Sequence, residues 1–312
     1  MSETPKQPES GEESPSPDYV ERTNRAIDYI LKNLSGPLNL EEVAQAAFFS
    51  PFHFHRVFQG VVGETLNQFI KRTRLERALH AMAHAPKRSL TDIALEYGFS
   101  SSSDFSRSFK QRYGVPPSAF DLETFRKDRR SEFAEAVASV EGGPKFRRLD
   151  AGENPDGFVA TIRELPARTV AYIRVLDPFR EQVVVDACHK LISWADDRGL
   201  ADGQWLGYMW EDPEIVALKD CRYDVAVVVD DVEPEGEVGR FEFPPMTVAE
   251  IPIRGDIELE QRAIDWMYRT WLPQSGYEPD HQPAFEVWNG RPFAHGYEYF
   301  ELWMHLPIVR SK

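Results

Sequence analysis

A pattern that recurs at an interval of fifty residues constrains this chain more than any other feature. Leu40-x-x-Val43-Ala44 returns as Leu90-x-x-Ile93-Ala94, and Phe54-x-Arg56-x-Phe58 with Gly63 returns as Phe105-x-Arg107-x-Phe109 with Gly114. The offset is 50 for the first piece and 51 for the second, so one inserted residue separates the copies. Each copy reads as a helix, a tight turn and a second helix. Ala44 and Ala94 stand where two crossing helices must approach closely, and Gly98 supplies a left-handed turn residue. In the first copy Phe48 occupies the place of Gly98, which should strain that turn by ~1 kcal/mol if it is left-handed. A chain with this repeat builds two helix-turn-helix units.

The surroundings of the repeat are helical throughout. NRAIDYILKNL places Ala26, Ile27, Ile30, Leu31 and Leu34 on one face before Gly36-Pro37 ends it. A long segment, about Leu66–Ala83, joins the two units, and Pro116-Pro117 closes the series. Beyond Gly157 the period changes from helical to alternating: FVATIREL, RTVAYIRVL and CRYDVAVVVDD read as strands, with helices expected near Phe179–Gly199 and Glu258–Gly276. A looser repeat runs through this half. RTVAYIRV corresponds to MTVAEIPI, QWLGYMW to QPAFEVW, and RYDVAVVV to YEYFELWMHLPI. Strand, helix, strand, strand therefore occurs twice, which predicts a sheet with helices on one side and a concave seam between the halves.

Length and charge agree with this division. At 312 residues the chain has room for two domains. The expected organisation is a disordered tail over 1–17, rich in Pro, Ser and Glu, an all-α double helix-turn-helix domain over 18–125, a linker over 126–156 containing Gly142-Gly143-Pro144, and an α+β domain of two βαββ repeats over 157–312. The net charge of −15 is uneven: 18–127 carries +3, whereas 128–312 carries −15. The only basic block is the one with the repeat. No apolar run approaches a membrane span and no signal-peptide core is evident, and two cysteines cannot supply a disulfide framework, so a cytoplasmic setting is expected.

These features assign the first half to double-stranded DNA. The second helix of each unit is of the kind that enters a major groove, with Phe52, His55 and Arg56 of the first and Ser102, Ser103, Asp104, Ser106 and Arg107 of the second facing outward. Arginine can grip guanine with two bonds, serine donates or accepts, and Phe52 can touch a thymine methyl. Arg56 and Arg107 could instead brace the helix pair. Lys71, Arg72, Arg74, Arg77, Lys110 and Arg112 are candidates for phosphate contacts. In the second half, alternation puts Ala284, Glu286 and Trp288 on one face of a strand and Tyr299, Glu301 and Trp303 together on another. A carboxylate among aromatic rings is costly to bury without a cation. Glu286 and Glu301, with Tyr172, Trp205, Tyr208, Trp210, Trp288 and Trp303 as walls, are the candidate effector site. The alternative reading is solvated glutamates and core tryptophans. No cofactor is called for, and no metal: His53 and His55 diverge on their helix, and His281, His295 and His305 lack a matching ligand set.

LEEVAQAAFFSPFHFHRVFQGVVGETLNQFIKRTRLERA followed by LTDIALEYGFSSSSDFSRSFKQRYGVPPSAF resembles the DNA-binding domain of the AraC family over about 100 residues. The second half is similar to GyrI-like effector-binding domains over about 157–309, through WEDPEIVALKDCRYDVAVVVDD, AFEVWNG and YFELWMHLPI. Together they resemble the Rob type of transcription activator. The resemblance implies seven helices, two recognition helices in successive major grooves, and a cleft that binds small, often cationic aromatic molecules against a buried glutamate. It implies a regulator rather than an enzyme, with RNA polymerase as a further partner. Some GyrI-like proteins are hydrolases, and in that reading Glu286 serves as general base.

Overall fold

The computed structural model describes residues 16–138, 148–180, 182–296 and 298–311. Most of the expected tail and the Gly142-Gly143-Pro144 part of the expected linker lie outside the described residues. Seven helices form the first half: α1 (Pro17–Lys32), α2 (Leu40–Ala46), α3 (Pro51–Val62), α4 (Leu66–His84), α5 (Leu90–Glu96), α6 (Ser102–Tyr113) and α7 (Leu122–Ala138). α1 starts seven residues ahead of the amphipathic pattern at Asn24, because Ser16 caps it through its hydroxyl and Pro17 sits at the first helical position, where a missing N–H is harmless.

Each helix-turn-helix unit has its own core. In the first, Ala44, Phe54 and Phe58 pack with Ile27, Ile30 and Phe69. In the second, Ala94, Phe105 and Phe109 pack with Leu75, Leu79 and Phe99. The second core also takes in Ile215, Val216 and Cys221 from the other half of the chain, so the halves share buried surface. The turns carry the asymmetry expected from the sequence. Gly98 has φ +79° and Phe48 has φ +54°, with the Phe48 ring 68% exposed. A β-carbon at Gly98 would lie 2.7 Å from the Leu34 carbonyl and 2.8 Å from the Arg74 guanidinium. Gly98→Ala is therefore expected to lower stability by about 2 kcal/mol, from the left-handed backbone and the clash together, whereas Phe48→Gly should lower it not at all. Urea unfolding of both variants checks this; equal effects would show that the two turns are not under different strain.

The second half is one nine-stranded antiparallel sheet with strands β1 (Thr161–Leu165), β2 (Arg168–Leu176), β3 (Trp205–Met209), β4 (Arg222–Val229), β5 (Gly239–Phe243), β6 (Met246–Gly255), β7 (Tyr277–Pro279), β8 (Ala284–Trp288) and β9 (Phe300–Arg310). The order is β1-β6-β9-β8-β3-β4-β2-β5, with β7 on β9. The helices are α8 (Val183–Asp196), α9 (Ile257–Trp266) and, after a π-helical turn over Met267–Trp271, α10 (Leu272–Ser275). The two expected units are thus β2-α8-β3-β4 and β6-α9-β8-β9, and β3 pairs with β8 at the seam between them, Gly207 opposite Glu286.

Alternation sorts the strand residues between two covered faces. One face packs on the helices: Ile173, Trp205 and Val225 against α8, and Ile251, Leu302 and Met304 against α9. The other holds Tyr172, Leu206, Tyr208, Phe243 and Phe285, and Leu31 of α1 packs against it. An ion-pair group fixes that contact. Arg174 on β2 makes two bonds to Asp224 on β4, at 2.9 and 2.7 Å, and lies 2.9 Å from Asp28 of α1, whose other oxygen accepts from the Tyr172 hydroxyl at 2.5 Å.

Candidate functional site

The two second helices of the repeat are built alike. Ser50 caps α3 and Ser101 caps α6, each accepting from a backbone N–H in the first turn. Phe54 and Phe58 on α3, and Phe105 and Phe109 on α6, are directed inward and fully enclosed. The 3.6-residue period then turns Phe52, His55 and Arg56 outward, with Phe52 80% exposed. On α6 it exposes Ser102, Ser103 and Arg107, with Asp104 and Ser106 partly covered. Asp104 also accepts from the Ser100 hydroxyl at 3.1 Å, which holds the start of the helix.

The expected phosphate contacts need correction. Arg72 is nearly enclosed and pairs with Glu64 and Glu76, and Arg112 also reaches Glu76, at 2.9 Å. Arg74 donates to the carbonyls of Leu34 and Gly36, and Arg77 to that of His281. These four side chains hold the helices to each other and to the second half. A charge count along the sequence cannot separate them from solvated arginines: the partners of Arg74, Arg77 and Arg112 lie far away in the chain, and the i,i+4 pair of Arg72 with Glu76 becomes enclosed only when the helices pack. Lys71 and Lys110 are exposed, with Lys71 donating to Gln111.

A cavity of about 560 Å³ opens at the seam of the sheet, on the face that carries the helices. Its floor holds Gly207, Glu286 and Met304, α9 contributes Glu260 and Ile264, and α7 closes it with Arg126, Arg130 and Phe133. Glycine is required at 207: a β-carbon there would lie 1.9 Å from the Tyr223 hydroxyl and 2.8 Å from a Glu286 oxygen. The space lets Tyr223 donate to Glu286 at 3.0 Å, and Trp288 also hydrogen-bonds it. Burial raises the Glu286 carboxyl to about 7 against the pull of these donors. Burial and the Glu286 charge hold Glu260 well above the ordinary glutamate range, and push the Cys188 thiol up to about 12. Among the described residues neither carboxyl is paired with a cationic side chain, since Arg126 and Arg130 of the same cavity are held by Glu214. That arrangement is poised for an incoming positive charge.

Of the eight candidate effector residues, only Glu286 lines this cavity. Trp205 and Trp288 share its face but pack into the α8 core, with the Trp205 indole donating to the Ala201 carbonyl. Tyr172, Tyr208 and Trp210 lie on the opposite face in an aromatic cluster beneath α1. Trp303 pairs across from Val287, and so also points away from the cavity. Glu301 is on the Trp303 side of its strand and accepts from Asn289 at 2.9 Å. The assignment of Glu301, Tyr172, Trp205, Tyr208, Trp210, Trp288 and Trp303 to the cavity lining is corrected accordingly. Alternation defines two faces, and both are covered here, so it does not say which one encloses the cleft.

Sequence reasoning passed over Glu260, whose helix is otherwise unremarkable, and over His80 and His84. The last two are spaced i,i+4 on α4, a signal visible in the sequence. Burial keeps the His80 imidazole well below its ordinary range. With Asp212, which follows β3, these two histidines form the group of metal-ligating side chains found among the described residues. Glu214 in the same loop binds both Arg126 and Arg130 of α7 at 2.6 Å, closing the cavity from its other side. Among the described residues no helix is long and apolar enough to cross a membrane.

Comparison with known proteins gives two family matches: a helix-turn-helix domain over residues 43–122 and a GyrI-like small molecule binding domain over 160–308. An uncharacterized helix-turn-helix transcriptional regulator of Bacillus subtilis, YbfP, is 37% identical over 109 residues, which cover 35% of this chain and 36% of that one. The transcriptional activator AarP of Providencia stuartii is 34% identical over 94 residues, covering 30% of this chain and 69% of AarP. A solved AraC-type regulator from Chromobacterium violaceum is 24% identical, with a TM-score of 0.30, over 31% of this chain and 86% of that one. The chain spans about two fifths or less of the length of the first curated relatives it matches.

Proposed function

We propose, since the chain belongs to the AraC family of helix-turn-helix regulators and carries a GyrI-like domain, that it is a sequence-specific DNA-binding transcription regulator that senses a small cationic or amphipathic aromatic effector. The observation that carries this reading is the outward set on α3 and α6, two capped helices whose enclosed phenylalanines leave Arg56 and Arg107 directed to solvent. Between them α4 runs for 19 residues, about 28 Å, close to the ~34 Å repeat of the duplex. In this reading 1–17 is a tail, 18–125 the DNA-binding unit, 126–156 the connector and 157–312 the sensor, working in the cytoplasm with promoter DNA and RNA polymerase as partners.

α7 supplies the route between sensor and reader. Its first turn packs through Phe125 on Phe120 and Tyr113, beside α6, and its later turns close the Glu286 cavity through Arg130 and Phe133. An effector that fills the cavity acts on α7, and shifts the population of DNA-competent molecules by its differential affinity.

The test is selection of bound duplexes from a random library with the full chain and three variants. Arg56→Ala and Arg107→Ala should each relax selectivity at a different half-site, by ~1–3 kcal/mol at the affected base. Lys110→Ala should instead weaken all sequences evenly. Identical selected sequences from the wild type and both arginine variants would overturn the groove assignment. A second reading, hydrolysis of a reactive small molecule with Glu286 as general base, draws on the Glu286 carboxyl near 7. It requires turnover at substoichiometric protein that disappears in Glu286→Gln.

A further inference from the structure

α4 carries His80 and His84 one turn apart, so both imidazoles lie over the same side of the helix. Their ring centres are 4.5 Å apart, and the Asp212 carboxylate, from the loop after β3, stands 3.5 Å from His84 Nε2. One donor atom from each of the three residues lies within 4.8 Å of the other two. Asp212 Oδ1 accepts from the Glu214 N–H at 2.8 Å, and its Oδ2 faces His84. A separation of 3.5 Å is too long for a good N–H···O bond, and His84 Nε2 is enclosed without a hydrogen-bond partner. Two donors on a tetrahedral ion, at bonds of ~2.0–2.1 Å, are held roughly 3.4 Å apart. The His84–Asp212 spacing is that of ligands around an ion.

The donor set points to the class of metal. Two imidazole nitrogens and one carboxylate oxygen suit borderline divalent ions of the zinc kind, whereas magnesium and calcium take oxygen throughout. The nearby cations are already engaged: Arg126 with Glu214 at 2.6 Å and Arg77 with the His281 carbonyl at 3.2 Å. The Tyr268 ring, 4.6 Å from that of His84, walls the group on another side.

We propose that His80, His84 and Asp212 bind one zinc-class divalent ion, leaving a fourth coordination position open. The ion would tie α4, the helix between the two reading helices, to the loop that follows β3 of the sensor half. His84 and Asp212 line the Glu286 cavity, and His80 and Asp212 line a smaller neighbouring one, so the ion would stand in the wall between them. This inference rests on the geometry alone and survives a failure of the DNA or effector readings.

The test uses the full chain, stripped with a chelator and titrated with Co²⁺ and then Zn²⁺. One equivalent of Co²⁺ should produce the visible bands of a four-coordinate ion, and Zn²⁺ should bleach them. His80→Gln, His84→Gln and Asp212→Asn should each weaken Zn²⁺ binding by more than about a hundredfold, beyond the 10–100-fold usual for outer-shell changes. The exposed His295→Ala should leave binding unchanged. Far-UV circular dichroism identifies any variant that fails to fold, and the wild-type cobalt spectrum decides the matter without them. Absence of a stoichiometric cobalt spectrum, or equal zinc affinity in wild type and folded triad variants, overturns the site.

Discussion

Arg174→Ala should lower the unfolding free energy of this protein by about 3–5 kcal/mol, more than any other single side-chain truncation considered above. The guanidinium is wholly enclosed and serves two carboxylates from different halves of the chain, Asp224 on β4 and Asp28 on α1. Its Nη1 lies 2.9 Å from Asp28 but off the line of a hydrogen bond, so that contact is an ion pair. The carboxylates have neutral donors too, the Trp210 indole on Asp224 at 2.6 Å and the Tyr172 hydroxyl on Asp28 at 2.5 Å. Removing the arginine strands two negative charges in a dry site, and those donors cannot neutralise them. Burial already outweighs Arg174 at Asp28, whose carboxyl is held above its ordinary range. Two further variants discriminate the cause. Arg174→Lys should recover little, because one ammonium cannot bridge both carboxylates with a planar fork. Asp28→Asn in the Arg174→Ala background should recover part of the loss, giving a coupling energy of ~1–3 kcal/mol in a double-mutant cycle. Urea unfolding measures these three and the Asp28→Asn single variant that closes the cycle; a loss below 1 kcal/mol for Arg174→Ala would mean that the two halves do not depend on this pair.

The same group of residues explains how far the sequence could be read. The helix-turn-helix repeat was legible because its determinants are local: small residues at crossings, paired phenylalanines, and a left-handed position that glycine fills at 98 and Phe48 fills under strain. The βαββ repeat was legible through internal symmetry and the Glu286 position through alternation along its strand, whereas the pairing of Gly207 with Glu286 emerges only in the folded sheet. What was not legible depends on contacts across the chain. Tyr172, Tyr208 and Trp210 looked like cleft walls because α1, which covers them, is separated from them by more than a hundred residues. Arg74, Arg77 and Arg112 looked like phosphate contacts because Leu34, His281 and Glu76, which engage them, become neighbours only after folding, and Arg72 because its i,i+4 pair with Glu76 reads like an exposed helix pair until the packing encloses it. Glu260 has no alternation or motif around it, and only the close approach of α9 to β8 makes it a partner of Glu286.

That partnership gives the second large effect, a pH dependence of stability that Glu286→Gln should reduce. The Glu286 carboxyl titrates near 7 in the folded chain and near its ordinary value of 4.5 when unfolded. Between those values the folded state holds a proton that the unfolded state has released. Stability conferred by the neutral form is therefore complete below pH 4.5 and falls as pH rises, until it is lost above about 7. The span corresponds to ~3 kcal/mol over that window. Glu260, also held high, contributes in the same direction, so the slope should be diminished in Glu286→Gln and not erased. A bound cation reverses the penalty by pairing with the ionised carboxylate. Tetraphenylphosphonium, taken as a probe, should bind the wild type more tightly as pH rises, by about fivefold from 6 to 7 and close to tenfold from 6 to 8, and should level off above that. Glu286→Gln should weaken it by about 2 kcal/mol or more at pH 8, roughly thirtyfold in Kd, since a partner for a buried charge is gone. Calorimetric titration and thermal unfolding across pH 5 to 8 read both effects. A wild-type stability that climbs with pH through this window, or a probe that binds both proteins equally at pH 8, would remove the buried carboxylate from the effector site.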